Sequence, residues 1–436
     1  MKITLIGHAC YLIETEDLSI LTDPAFFDPW GRVNVSCPTR EVNIEKLPEP
    51  DLLVITHEHV DHCDPRSIAA LNRGITVLRP DSRLLEAELA TLGFLKQKVL
   101  GTSKVKSGNT ELISTFSDQN EVKEFGLIVA DRQGTMWNQV DTVVTERTYN
   151  YLHPFPHIHV LFFPWQPFLQ TNLVTGAPFL FPLNDYRRLL ERSASVNADL
   201  NVPGACGFRY PDEFQWINHK IFPVSHTKVA EDFSSFTKQK VSRMLPGDVI
   251  IVEKSKSWIE RQASPFVHTT VDDVQRLEFI PGAEIKPIDW ESDPTTKEDI
   301  QQITSYCEGI RKIDVPGLLR TWKPSYRIRF LFHGESIQYD IDLTESSPIL
   351  RRSDQTSPAR LTCQIWGPAF ARFLRGECVA EELGFLGRVR VHGSIYEVSP
   401  RASGIMPIRN SMGMFWMGSD IEEKAFLRFV EEHKKK

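Results

Sequence analysis

The sequence predicts an α/β protein with a large N-terminal layered domain and a smaller C-terminal α+β domain. Apolar strand-like runs alternate with capped helices in the N-terminal part, which is the pattern of a layered α/β domain. Strand-like runs return further along, beyond the polar stretch Ser292–Asp299. At about 100–200 residues per domain, 436 residues fit this division. We expect one domain over residues 1–260, a boundary region over 261–300 and a second domain over 301–436.

The individual elements follow from periodicity and from turn and cap residues. Near-continuous apolar runs and alternating segments predict strands, at Ile3–Ile6, Tyr11–Ile13, Leu18–Leu21, Asp51–Thr56, Ile75–Leu78, Glu111–Thr115, Phe125–Ala130 and Met136–Val144. Asp64 and Pro65 supply the cap and first position of a helix that ends near Leu71. Further helices are predicted at Ser82–Leu92 and Gln364–Arg375, and C-terminal strands at Tyr326–His333 and Ser336–Leu343.

Composition and charge narrow the classes of function. Fifty Lys and Arg against fifty-seven Asp and Glu give a net charge of −7, which argues against a nucleic-acid binder. The seven cysteines are scattered and form no CxxC pair, which fits a reducing compartment. No apolar run approaches about eighteen residues, and the N-terminus lacks the pattern of a signal peptide. We therefore expect a cytoplasmic protein with neither nucleic acid nor membrane as a partner.

The strongest chemical signal is the segment His57–His62, which reads HEHVDH directly after a predicted buried strand. In an extended chain His57 and His59 point the same way, whereas Asp61 and His62 lie past the bend and can address a second ion. Imidazole suits zinc and iron, and carboxylate favours harder ions, so the set fits a mixed nitrogen and oxygen site. A solvated turn is the alternative, which the preceding strand and the following capped helix disfavour.

This HxHxDH motif resembles that of the metallo-β-lactamase fold, and the opening GHACYLIE…ILTDP resembles its first strands. The resemblance implies an αββα sandwich for the N-terminal domain. The chain also resembles the catalytic region of CMP-N-acetylneuraminate hydroxylases, in Phe125–Ala130, Val202–Phe208, Arg243–Asp248 and Glu381–Arg390. That family begins with a Rieske iron–sulfur domain, whose paired Cys and His ligands this sequence lacks. An external reductase or ferredoxin is therefore expected as the electron donor.

The remaining ligands are implied by this resemblance. Asp141 stands where the fold places a bridging carboxylate, and His226 where it places the last histidine; a turn-capping Asp and a surface His are the alternatives. Zinc hydrolases of the fold have one more histidine between the motif and the bridging Asp, but this sequence has none between His62 and Asp141. Resemblance to diiron β-hydroxylases of the fold implies Glu121 in its place. Glu124 and Asp118 are the other options, or the site is one ligand short.

Two histidines and one carboxylate are the ligands associated with oxygen-activating nonheme iron. We therefore expect a diiron monooxygenase that hydroxylates a small molecule with O₂, with two iron ions as cofactors. Its expected site residues are the metal ligands alone: His57, His59, Asp61, His62, Glu121, Asp141 and His226.

A dinuclear zinc hydrolase that cleaves an ester, amide or phosphodiester is the alternative, and a binding module is a third option.

The stretch Tyr151–Leu183 is crowded with Phe, Trp and Pro. It predicts either an aromatic wall for an apolar, natural-product-like substrate or ordinary domain core.

Overall fold

The computed structural model describes residues 1–30, 34–101, 104–118, 122–292, 294–399, 404–407, 414–417 and 419–434. They form two compact units. The first comprises Met1–Pro167, Phe181–Ile280 and Val430–Lys436, and the second Phe168–Leu180 and Pro281–Phe429. The division at residue 280 lies inside the boundary region expected over 261–300. The segment Phe168–Leu180 joins the second unit because its helix packs against a strand and a helix near residue 385, a long-range contact that chain order does not reveal.

Short strands make up most of the first unit. In chain order they are β1 (Lys2–Gly7), β2 (Cys10–Glu14), β3 (Ser19–Thr22), β4 (Val35–Ser36), β5 (Thr39–Val42), β6 (Leu52–Val54), β7 (Thr76–Arg79), β8 (Gln97–Val99), β9 (Lys104–Ser107), β10 (Thr110–Phe116), β11 (Phe125–Ala130), β12 (Thr135–Asn138), β13 (Val160–Phe163), β14 (Leu200–Pro203), β15 (Phe208–Arg209), β16 (Val249–Glu253), β17 (Lys256–Glu260) and β18 (Val267–Val271). Those of the second unit are β19 (Ser325–Phe332), β20 (Glu335–Asp342), β21 (Leu350–Arg352), β22 (Leu361–Trp366), β23 (Val389–Gly393), β24 (Tyr396–Ser399) and β25 (Gly404–Pro407).

The α-helices connect or cover these strands. They are α1 (Pro65–Ala69), α2 (Arg83–Thr91), α3 (Glu146–Tyr151), α4 (Gln170–Thr175), α5 (Leu183–Ser195), α6 (Gln215–Ile221), α7 (His226–Thr237), α8 (Lys297–Gly309), α9 (Gly317–Trp322), α10 (Gly367–Arg375), α11 (Ala380–Phe385) and α12 (Ser419–His433). Across the described ranges, no helix has both the length and the apolar character that crossing a membrane requires.

Two large sheets build the first unit. Their strand orders are β17-β16-β1-β2-β3-β6-β7-β8 and β14-β13-β12-β11-β10-β9. Apolar side chains of both sheets share one core, which includes Ile3, Ile13, Leu112, Leu127 and Val160. Strands β3, β6, β7 and β8 run parallel, so their carboxyl ends lie at one edge, where α/β proteins place their sites. The layered α/β architecture predicted for the N-terminal domain is present.

The helices that follow β6 and β7 begin where their cap residues predict. The Asp64 side chain accepts a hydrogen bond from the backbone N–H of Ser67, and Pro65 occupies the first helical turn of α1. Ser82 caps α2 in the same way through the N–H of Leu85. These local signals fix where the chain leaves the sheet, and therefore where the HEHVDH segment lies.

Part of the expected boundary region belongs to the first unit. Strand β18 lies within residues 261–280 and pairs with β5, which is more than two hundred residues earlier in the chain. Sequence order gives no sign of such a distant partner, which is why the sequence placed this segment in the boundary region.

The second unit is a five-stranded sheet of order β21-β20-β19-β22-β23 with its own apolar core. The helix predicted over Gln364–Arg375 starts too early, because Leu361–Trp366 forms β22 between β19 and β23. The reason is the alternation of buried Leu361, Cys363 and Ile365 with less buried neighbours, which is a strand period rather than a helical one. The helix itself begins at Gly367.

Gly126 in β11 should not tolerate a side chain. An added Cβ would lie 2.5 Å from Thr115 Oγ1 and 3.0 Å from the backbone oxygen of Asn138. Overpacking of this kind costs about 1–3 kcal/mol, so we expect Gly126→Ala to lower the free energy of unfolding by that amount in urea denaturation. Gly101→Ala is the control, since nothing lies within 4 Å of its added Cβ. Equal losses in the two variants would contradict the packing described for this sheet.

Candidate metal centre

Three loops at strand ends bring histidine and aspartate side chains together in the first unit. The segment His57–His62 follows β6, and Asp141 follows β12. The third loop is the turn between β1 and β2, which carries His8. Side-chain atoms of His8, Asp61 and His62 form one group, and those of His57, His62 and Asp141 form another, each within 4.8 Å. The two groups share His62, so they make one continuous cluster.

The atoms of the cluster are spaced like ligands of common ions. His57 Nε2 lies 3.0 Å from His59 Nδ1 and 3.9 Å from Asp141 Oδ2. His62 Nε2 lies 3.4 Å from Asp141 Oδ2. Bonds of about 2.0–2.1 Å in a tetrahedron place neighbouring ligand atoms about 3.3 Å apart. The spacing therefore leaves room for metal ions between these side chains, with Asp141 shared between them.

At His57 and Asp141 the environment favours the protonation states that a metal requires. Burial, together with the charges that His62 and His59 can carry, lowers the pKa of His57 well below its ordinary value. Burial alone would raise the pKa of Asp141, but the hydrogen bond and charge of His62 outweigh it and lower that pKa. Metal binding needs neutral imidazole and ionised carboxylate. His57 and Asp141 are thus prepared as ligands before an ion enters.

A buried carboxylate behind the cluster sets the direction of two imidazoles. Asp23 accepts hydrogen bonds from the Thr56 backbone N–H at 2.7 Å, from Thr56 Oγ1 at 2.8 Å and from His62 Nδ1 at 3.1 Å. Because Thr56 Oγ1 donates to Asp23, its lone pair accepts from His57 Nδ1 at 3.1 Å. Both rings then carry their proton on Nδ1, so the lone pair of each ring is on Nε2. This is the usual support of a metal-binding histidine.

Sequence reasoning missed Asp23 and His8. Asp23 lies in Thr22-Asp23-Pro24, which has the pattern of an ordinary turn at the end of a strand. His8 lies in the tight turn after β1, and its Nε2 is 3.0 Å from His62 Nε2 and 3.3 Å from Asp61 Oδ2. The only local signal for either was a polar residue at a strand end, where sites of this architecture lie.

The structure groups five of the seven predicted ligands: His57, His59, Asp61, His62 and Asp141. Glu121 lies outside the described residues. Of its substitutes, Asp118 accepts hydrogen bonds from Thr145 Oγ1 and Arg147, and Glu124 lies beside an apolar pocket. Asp141 is three residues beyond the end of β12 rather than at the strand end itself. The role of Glu121 stays a prediction.

His226 is the first residue of helix α7, which the Ser225 side chain caps. Its ring is buried against Trp165, with centroids 4.3 Å apart. Burial lowers its pKa to about 3, so the imidazole is neutral. Among the described residues its buried Nδ1 has no hydrogen-bond partner, which is the state of a nitrogen that awaits a ligand. The groups of possible ligands within 4.8 Å of one another, among the described residues, do not include it, and its role stays a prediction.

A third group, of His157, His159 and Asp199, has the spacing of metal ligands. The protonation of His159 nevertheless prevents metal binding there. The backbone N–H of Thr135 donates to His159 Nδ1 at 3.0 Å, so Nε2 must carry the proton and cannot bind an ion. His157 and Asp199 form an exposed pair at 2.9 Å. This group is an exposed hydrogen-bonded pair beside a structural histidine.

The aromatic stretch that follows is largely domain core. Phe162, Phe163 and Trp165 are each at most 1% exposed. Phe162 packs on Tyr11 and Phe163 stacks on Phe233. The second interpretation of this stretch, ordinary core, therefore accounts for β13 and the residues that follow it.

Comparison with known proteins identifies this architecture. Residues 2–142 match the family model described as a beta-lactamase superfamily domain. The first unit has the metallo-β-lactamase fold. This confirms the resemblance on which the αββα sandwich was predicted, and it covers both the HEHVDH segment and Asp141.

Several relatives match this chain in part. A Mycolicibacterium smegmatis protein whose name describes a Rieske 2Fe-2S iron-sulfur protein is 30% identical over 156 residues, covering 32% of this chain and 30% of that protein. A Mycobacterium tuberculosis protein with a name of the same kind is 27% identical over 233 residues, covering 47% and 43%. The N-acyl-phosphatidylethanolamine-hydrolyzing phospholipase D 1 of Caenorhabditis elegans is 32% identical over 81 residues, covering 18% and 22%. The chain thus spans less than half the length of these relatives.

Solved structures of similar fold include both hydrolases and a hydroxylase. An isothiocyanate hydrolase from Delia radicum gut bacteria is 18% identical, with a TM-score of 0.43, over 58% of this chain and 100% of its own. A mutant of CmlA beta-hydroxylase is 15% identical, with a TM-score of 0.42, over 60% and 53%.

Removing the charge of Asp23 should weaken metal binding. In Asp23→Asn the negative charge is lost and the amide NH₂ would face a donor, either the Thr56 backbone N–H or the pair Thr56 Oγ1–H and His62 Nδ1–H, so the support of His57 and His62 is weakened. Outer-shell changes of this kind cost about 10- to 100-fold in metal affinity. Chelator competition measures the loss. Asp51→Asn is the matched control, because Asp51 accepts from the Ser19 N–H at the opposite end of the same strands. An equal effect of both substitutions would contradict the role given to Asp23.

Proposed function

We propose that this protein is a nonheme diiron monooxygenase that hydroxylates a small molecule with O₂. The observation that carries the proposal is the absence of any histidine between His62 and Asp141 in the sequence. The first metal would then have His57 and His59 as its imidazoles and needs a carboxylate as its third ligand. Two histidines and one carboxylate are associated with iron that activates O₂. Glu121 is the proposed carboxylate.

The residues that flank the predicted ligand loop are held beside the centre. The backbone N–H of Asp118 donates to the oxygen of Val143, two residues after Asp141. The backbone N–H of Phe125 donates to the oxygen of Thr56, directly before His57. Asp118 and Phe125 thus lie beside the segments that carry Asp141 and His57, which supports a ligand from the loop between them.

The names of two relatives also favour redox chemistry. The Mycolicibacterium smegmatis and Mycobacterium tuberculosis proteins are named as Rieske 2Fe-2S iron-sulfur proteins. Such clusters transfer electrons, and their ligands are Cys and His pairs. An oxygenase needs reducing electrons, whereas a hydrolase does not. An external reductase or ferredoxin is the proposed donor for this chain.

Two iron ions held by the cluster would supply O₂ activation and substrate oxidation. The chain contributes orientation and exclusion of water. Asp23 and Thr56 direct the ligand nitrogens of His57 and His62. The rings of Trp30 and Phe208 lie 5.5 and 5.6 Å from the ring of His8 and cover that side of the cluster. A dry, rigid surround of this kind protects a reactive centre from side reactions.

An apolar pocket at the same sheet edge is the proposed substrate site. Pro80 follows β7, which pairs with β6, and Leu100 follows β8, which pairs with β7, so both leave the sheet at the edge where His57 follows β6. Its volume is about 180 Å³, similar to a cavity of about 150 Å³ that admits benzene. Phe116, Phe125 and Tyr151 line it. We expect a substrate with a compact apolar group, such as an aromatic ring.

A dinuclear zinc hydrolase is the second candidate, favoured by the phospholipase D relative of Caenorhabditis elegans. Its metal would lower the pKa of bound water toward about 7 and polarise an ester, amide or phosphodiester. The grouped ligands serve zinc as well as iron. The two candidates therefore differ at the third ligand of the first metal.

Replacing Glu121 should test this difference directly. If Glu121 binds the first iron, Glu121→Ala should lose about half the bound iron and all O₂ consumption driven by a chemical reductant. Metal analysis and an oxygen electrode measure both. Glu111→Ala, on the partly exposed side of β10, is the control. Two tightly held zinc ions, with hydrolysis that needs neither O₂ nor reductant, would instead establish the second candidate.

Ligand substitutions should abolish activity and leave the fold in place. His57→Ala and Asp141→Ala remove groups at loop ends, outside the apolar core between the sheets. We expect a loss of at least about a thousand-fold in turnover, with far-UV circular dichroism unchanged. His157→Ala, in the exposed pair, should keep full activity. Unfolding of both ligand variants at ordinary temperature would point to a structural metal.

A further inference from the structure

His8 touches the cluster, yet its hydrogen bonds set it apart from the ligands. Its Nε2 faces His62 Nε2 at 3.0 Å and Asp61 Oδ2 at 3.3 Å, which by distance alone suits a third ligand of the second metal. Its other ring nitrogen, Nδ1, lies 3.1 Å from the backbone nitrogen of Gly207, in the geometry of an N–H···N hydrogen bond. Because the partner of Nδ1 determines which ring nitrogen carries the proton, it also determines whether Nε2 can bind a metal ion.

A backbone N–H can only donate, so His8 Nδ1 must accept with its lone pair. In a neutral imidazole the proton is then on Nε2. A protonated Nε2 cannot bind an ion, but it can donate to the lone pair of His62 Nε2 or to the Asp61 carboxylate. His57 and His62 have the opposite arrangement, because their Nδ1 atoms face a hydroxyl oxygen and a carboxylate.

The fold makes this arrangement rigid. His8 has a φ of 51°, in the left-handed region that residues other than glycine seldom adopt. Ala205 and Cys206, just before Gly207, lie in the same region, with φ values of 54° and 55°. A Cβ on Gly207 would lie 2.9 Å from both the N and Cα atoms of His8. Only glycine therefore allows the backbone N–H to approach this closely.

We infer that His8 is a positioning residue and not a ligand: when an ion occupies the lone pair of His62 Nε2, His8 donates its Nε2–H to Asp61. The inference rests on the proposed metal centre, whichever metal is bound there. By donating to Oδ2, His8 turns the other carboxylate oxygen of Asp61 toward the second ion. The remaining ligand of that ion must then come from elsewhere, and His226, with its buried Nδ1 unpartnered among the described residues, is available.

The test uses the full chain loaded with Zn²⁺ or Co²⁺, and three versions of residue 8. We expect wild type and His8→Ala both to hold two ions, with the second bound about 10- to 100-fold more weakly in His8→Ala. His8→Gln keeps an N–H donor and should recover most of that affinity. The visible absorption of bound Co²⁺ should keep its band positions in all three, because the ligand set is unchanged.

The ¹⁵N spectrum of histidine-labelled protein reports which ring nitrogen of His8 carries the proton. A purely structural role for His8 would not determine this tautomer. The signal that disappears in His8→Gln belongs to His8. In the zinc-loaded chain it should be that of the Nε2–H tautomer. An Nδ1–H tautomer with Nε2 bound to zinc would overturn the inference, as would one ion in His8→Ala with a shifted Co²⁺ spectrum. Fewer than two ions in wild type would instead reject the metal centre itself.

Discussion

The hydrogen bonds of Asp23 are the constraint on which the centre depends. One carboxylate, fully buried, accepts from Thr56 twice and from His62 once. Through Thr56 Oγ1 it also fixes the proton of His57. A buried carboxylate is stable only when its oxygens accept hydrogen bonds, and the oxygens of Asp23 accept these three. The orientation of one ligand in each half of the cluster thus depends on a residue that binds no metal.

The sheet makes this arrangement possible. Strands β3 and β6 are parallel neighbours, with Leu21 opposite Leu53 and Thr22 opposite Val54. The residues after each strand therefore emerge side by side at one edge, Asp23 from β3 and Thr56-His57 from β6. The two sequence segments are more than thirty residues apart and need no further element to meet. The position of the cluster follows from parallel pairing, and its chemistry from the residues just beyond each strand.

Sequence predicted what depends on neighbouring residues. The apolar run before His57 and the cap at Asp64 correctly located the HEHVDH segment between a strand and a helix, and the grouping of His57, His59, Asp61 and His62 followed. Contacts between distant segments could not be predicted, because the periodicity of apolar residues describes only neighbouring parts of the chain. His8 reaches His62 across 54 residues, and β18 reaches β5 across more than two hundred. The start of α10 was misplaced for a different reason. The last three residues of β22, from Gln364 to Trp366, include apolar side chains that also suit a helix.

The histidines of the first unit show why residue type alone does not define a metal site. His57 and His62 face oxygen acceptors at Nδ1, which leaves a lone pair on Nε2 for an ion. His8 and His159 face backbone N–H groups at Nδ1, which puts the proton on Nε2 and makes that nitrogen a donor. All four lie within reach of carboxylates in groups that spacing would call sites. Whether the nearest group is an N–H or an oxygen is set by the local path of the backbone, so the fold, and not the presence of a histidine, decides which imidazoles can bind metal.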